Sequence, residues 1–200
     1  MKAIRMTTAK VATTLVIVLG GATTTLAVGA SAVHQVKPAV HASAPQATKT
    51  IKTTYNFNAS YSGTISILWN SSKPSTGSIT GKGSGTNYGL TAVTGSGSAM
   101  ATAQSDPING AGVLSGAGNT LHVQFATGST ATATGSSAPT TVIISGSAKV
   151  TSGTGKFAKA TGTLKVSGTF NIKDTSGKEA DSFVATLKGA VVVVTTVKTK

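Results

Sequence analysis

Thr163-Leu164-Lys165-Val166-Ser167-Gly168-Thr169-Phe170-Asn171-Ile172-Lys173 decides the fold. Leu164, Val166, Phe170 and Ile172 fall on one parity, and Thr163, Lys165, Ser167, Thr169, Asn171 and Lys173 on the other. A period of two places one set on each face of a pleated strand, with the apolar set toward a core. The same rhythm recurs on both sides. Upstream, Val142, Ile144, Ala148 and Val150 oppose Thr141, Ser145, Ser147 and Lys149, and Leu121, Val123 and Phe125 oppose His122 and Gln124. Downstream, Phe183, Ala185, Leu187, Val191 and Val193 share a face. Further upstream, Ile51, Thr53, Tyr55, Phe57, Ala59 and Tyr61 alternate, and Ile65, Ile67 and Trp69 continue the series.

Turn signals lie between these runs: Ser71 to Ser78, Asp106-Pro107 through Gly112, Gly118-Asn119, Ser136 to Pro139, and Asp174 to Asp181. Strands at this spacing predict an all-β domain over residues 49–200, a barrel or a β-sandwich. Composition agrees. Thr and Val suit a pleated sheet, while 24 glycines make a poor helix mixture. The stretch from Gly81 to Gly135 is rich in Gly, Ser, Thr and Ala without a fixed repeat. Ala190 to Val197 is apolar on both faces, which predicts a strand covered twice or a contact with a second copy in a homo-oligomer.

The chain starts differently. Lys2, Arg5 and Lys10 precede an apolar stretch from Val11 to Ala27, and Ala30-Ser31-Ala32 offers small residues to a signal peptidase. Residues 1–32 read as a cleaved export signal with Val33 as the first mature residue, which places the protein outside the cell or in its envelope. Residues 33–48, with Pro38 and Pro45, read as a flexible linker. Removing the signal leaves 14 Lys against four acids (Asp106, Asp174, Glu179, Asp181) and no Arg. Lys is a hydrated point charge, whereas bidentate phosphate and base contacts call for Arg. This balance argues against specific nucleic-acid recognition; it reads first as a solvated basic surface that keeps the protein soluble, with diffuse attraction to an anionic cell-wall polymer or surface as the functional alternative. Without cysteine, disulfide and thiolate chemistry is excluded.

Catalytic and cofactor patterns are wanting. No Gly-x-Ser-x-Gly elbow occurs. Gly153 to Lys156 lacks the first glycine and the Ser/Thr of a phosphate loop, since Val150 and Phe157 stand there. A carboxylate pair would need Asp106 and the loop of Asp174, Glu179 and Asp181, and that loop is too sparse for a calcium site. His122 has the parity of the polar face. No catalytic, cofactor-binding or metal residue is assigned, and no cofactor. Tyr55, Trp69, Phe125 and Phe170 are the candidate lining of an interior pocket, which would hold a small apolar ligand. Outward Thr rows such as Thr130, Thr132 and Thr134 offer a third, adhesive reading.

One corner is more specific. Gly153-Thr154-Gly155-Lys156-Phe157, followed by Ala160-Thr161-Gly162, joins two strongly alternating strands. It resembles the signature of dirigent proteins and allene oxide cyclase-like barrels, and a similar segment in small secreted bacterial proteins. The resemblance covers about ten residues and implies a single antiparallel eight-stranded up-and-down barrel of the calycin type, with the β-sandwich as the alternative. On that reading Gly153, Thr154, Gly155, Lys156, Phe157, Ala160 and Gly162 are structural, with Phe157 plugging the interior. Dirigent pockets carry acids, Arg and Tyr. The mature chain has no Arg, so no catalytic role carries over.

Overall fold

The computed structural model describes residues 47–70, 74–100, 105–135, 138–174 and 176–198. Residues 1–32, read above as an export signal, and nearly all of 33–48, read as a linker, lie outside them. Ten strands follow in order: β1 (Thr48–Leu68), β2 (Ser75–Thr86), β3 (Ala92–Ala99), β4 (Ser105–Pro107), β5 (Asn109–Gly116), β6 (Asn119–Phe125), β7 (Thr130–Ala133), β8 (Thr140–Thr154), β9 (Thr161–Ile172) and β10 (Lys178–Lys198). All pairings are antiparallel, in one sheet. They close in a ring, because β8 pairs with β9 as well as β6, and β10 with both β9 and β1. The ring has eight members in up-and-down order and is barrel-like. Closure leaves few free edges, which is how such sheets avoid edge-to-edge association.

Two members of the ring are interrupted. β4 and β5 are one strand broken at Ile108, and β6 and β7 are one strand broken at 126–129. Ser129 knots the second break. Its Oγ donates to the carbonyls of Ala126 and Ser147 and accepts from the Ser147 amide. Buried polar atoms need such partners. Gly146 makes room, since a Cβ there would lie 2.2 Å from the Ser129 Oγ.

The inward parity is the one read from the sequence over most of β8, β9 and β10. Four expectations need correction. The turn at Ser71 to Ser78 is shorter, because β2 already starts at Ser75. Asp106 to Gly112 is strand rather than turn, with Pro107 on the exposed parity where its missing N–H is tolerated. The valine run is not covered on both faces: Val191 and Val193 are buried, Val194 on the other parity is exposed, and past Val193 the inward parity is exposed too, at Val197. There β1 and β10 form a two-stranded ribbon, since β2 joins β1 only at Asn58 and β9 joins β10 only up to Val192. Ile51 and Thr53 lie in this ribbon and are exposed rather than core.

Candidate functional site: a half-filled interior

The two ends of the ring differ because their inward residues differ in size. At one end Phe57, Leu90, Leu121, Phe157, Leu164 and Val191 are all buried. Tyr55 and Tyr88 close over them, with ring centroids 5.2 Å apart, and Tyr55 lies 5.0 Å from Phe157. Aromatic edges and faces at these separations add to the gain from burial. Two corners hold the plug. In the β2–β3 loop the Asn87 carboxamide accepts from the Gly89 amide at 3.0 Å, and Tyr88 adopts φ +52° between them. The Tyr88 hydroxyl then binds both the amide and the carbonyl of Asn56, where β1 has no β2 partner. In the β8–β9 corner Gly155 takes φ +61°, which favours glycine, and the Asn119 Oδ1 accepts the Lys156 amide at 2.8 Å. A turn of 3-10 helix over Gly155–Phe157 inverts the chain and drops Phe157 into the interior with 0% exposure.

The other end is not filled by the described side chains. It is the end of the β1–β2, β3–β4, β7–β8 and β9–β10 connections. A cavity of about 240 Å³ occupies it. Ile65, Ile67, Phe125, Val142, Phe170 and Phe183 supply its bulky walls. The facing wall is rich in glycine: Gly77 on β2, Gly95 and Gly97 on β3, and Gly110 and Gly112 on β5, among side chains such as Ile79, Val93 and Leu114. Most of these glycines also let strands close up. A Cβ at Gly95 or Gly97 would lie 2.8 Å from a carbonyl oxygen of β5. Small inward residues on one wall and ordinary ones on the other leave a void that these side chains do not fill.

Along β4 and β5 the inward series reads Asp106, Ile108, Gly110, Gly112, Leu114. The carboxylate is at the mouth, the glycines at mid-depth and Leu114 in the floor. Asp106 is 6% exposed, and no hydrogen bond or ion pair joins it to another described residue. Trp69, at the end of β1, is held on the rim. Its amide donates to the Gly177 carbonyl at 2.8 Å and its indole N–H to the Glu179 carboxylate at 3.2 Å.

Of the candidate lining residues, Trp69, Phe125 and Phe170 border this cavity. Tyr55 does not; it belongs to the plug. The acidic loop is largely satisfied from within, although Asp181 Oδ2 is buried with the Lys173 ammonium at 3.4 Å and no hydrogen bond. Glu179 accepts the Lys173 amide at 2.6 Å, and Asp174 accepts the amide and hydroxyl of Ser176. The Ser182 amide, donating at 2.7 Å, holds the Asp181 carboxyl below the usual carboxylate range, and Lys173 Nζ at 3.4 Å adds to the effect against some burial. No group of metal-ligating side chains comes together among the described residues. His122 is half-buried on the outer parity at a bulge against β8. Thr132 donates to Ser105, so part of the Thr row is engaged in cross-strand bonds. Asp106 and the glycine wall were not identified as a site from the sequence. The alternating glycines 95/97 and 110/112 carried the signal.

The chain matches no family model, no curated protein and no solved structure.

Proposed function

We propose that the protein is an exported, non-catalytic module that holds a small apolar molecule in the unfilled half of its barrel-like ring. The single observation that supports this most is the cavity of about 240 Å³ between a bulky wall and a glycine wall. Apolar, largely preformed concavities with few polar groups are what small-ligand sites look like. The dirigent-like reading of Gly153 to Gly162 belongs to the same proposal: that corner closes one end so that the other can hold a guest. A native mass spectrum of the mature protein from its host's medium tests the reading. An added mass that disappears on denaturation is expected. A bare mass beginning at Val33 would contradict it.

A second role, attachment to an anionic envelope polymer, rests on a different feature. Lys165 and Lys188 are direct cross-strand partners on the exposed face, and Lys149 sits diagonally beside them on β8. No acid shares these registers. Such a ridge attracts polyanions in a salt-dependent way. Retention of the protein on immobilised lipoteichoic acid at low salt, lost with Lys149, Lys165 and Lys188 all replaced by Thr, is the expected result. Equal retention of both proteins would remove this role.

A further inference from the structure

We infer that the cavity selects a cationic amphiphile, an apolar body carrying one ammonium group, and that Asp106 is the residue that recognises the charge. The inference rests on the reading of the cavity as a ligand site.

Among the described residues that line the cavity, Asp106 is the one charged side chain. The other polar side chains there are hydroxyls such as Ser75, Ser98 and Thr169, together with the rim indole of Trp69. Asp106 is more than nine-tenths buried, points into the cavity, and has no hydrogen bond or ion pair with a described residue. Among the described residues, no lysine lines this space. The carboxylate stands at the mouth of an apolar cavity with no counter-charge among the described lining residues, where an ion pair is less screened than in open solvent. A guest that brings the cation and its N–H donors gains a charge-assisted hydrogen bond there. Its hydrocarbon part would extend past Ile108 toward Gly110, Gly112 and the floor at Leu114. A fatty acid would set a second carboxylate against the first, and a neutral alcohol would bring a donor but no charge. The order amine, alcohol, acid follows.

The test uses the full mature chain and its single tryptophan, Trp69, which sits on the rim. Octylamine, octanol and octanoate are titrated at pH 7 while the Trp69 emission is followed. Octylamine is expected to bind about ten- to a hundredfold more tightly than octanol, the range that a hydrogen bond to a charged group supports. Octanoate is expected not to saturate. Asp106→Asn should bring amine and alcohol to within about threefold of each other. Asp106→Ser is the second variant, and the wild-type comparison needs neither to fold. Equal binding of octylamine and octanol by the wild type overturns the role of Asp106 and leaves the apolar reading intact. If no probe gives a saturable change, the cavity reading itself falls, and this inference with it.

Discussion

The Tyr61 ring occupies the place of a missing side chain on Gly83, its cross-strand partner: a Cβ there would lie 2.2 Å from the ring. Tyr61 is almost fully buried and donates its hydroxyl to the Leu90 carbonyl at 2.7 Å. It forms the boundary between the plug and the cavity. Gly83→Ala should therefore destabilise the fold by about 1–3 kcal/mol through overpacking. Urea unfolding measures this; an unchanged midpoint would mean that the ring moves freely.

Burial pushes the Tyr61 hydroxyl pKa up to about 12. An unfolded chain would lose that proton near pH 10. The stabilising contribution of this group is complete below pH 10 and is lost as the pH rises toward 12. Tyr61→Phe should flatten this alkaline loss relative to wild type. At pH 7 it should cost about 1 kcal/mol, because the Leu90 carbonyl is left without its donor. Unfolding curves from pH 8 to 12 for both proteins separate this residue from the general titration of lysines.

Gly77 is the exception on the glycine wall. A Cβ there would meet only Ile65 Cδ1 and the Ser66 carbonyl, each at 3.8 Å. Gly77→Ala should stabilise the fold by about 0.4–1 kcal/mol, since the unfolded chain loses freedom and no neighbour is displaced. Thermal unfolding reads this directly, and a lowered midpoint would contradict it.

The Glu179 carboxylate fastens Trp69 to the rim. In Glu179→Ala the indole N–H and the Lys173 amide lose their acceptor. The Trp69 emission should shift to the red and its quenching by iodide should rise. The cost should be about 1–2 kcal/mol, as for hydrogen bonds to a charged group that is partly exposed. Glu179→Gln should restore most of the emission, because the carboxamide oxygen still accepts from the indole.

The legible parts of the fold were those where side-chain size alternates. Leu164, Val166, Phe170 and Ile172 gave β9 its two faces, and Val142 to Val150 gave most of β8 its own. The corner at Gly153 to Gly162 was legible because Gly155 takes φ +61° and Phe157 follows with nowhere else to go. β2 and β5 were obscured by glycines on the inward parity, which line the cavity at 77, 110 and 112 and make room for Phe183 and Tyr61 at 81 and 83. Little apolar alternation therefore marks the buried face. Asp106-Pro107 reads as a turn on local chemistry, yet pairing with β7 holds it extended and sets the carboxylate on the inward parity. Tyr55 shares its parity with core residues, but only the tertiary placement of Phe157 and Tyr88 assigns it to the plug.

Whether the unfilled half of the ring is a receptacle is measured most directly by calorimetric titration with octanol, a neutral apolar probe, on wild type and on Gly77→Leu. The glycine at this position faces the cavity with free space before it, so leucine would fill the guest's place without straining the strand. The account predicts saturable binding of one octanol per chain with a negative heat-capacity change, the mark of apolar burial, and a loss of that binding in the folded Gly77→Leu protein. Absence of saturable heat from the wild type, or equal binding by both proteins, would contradict it.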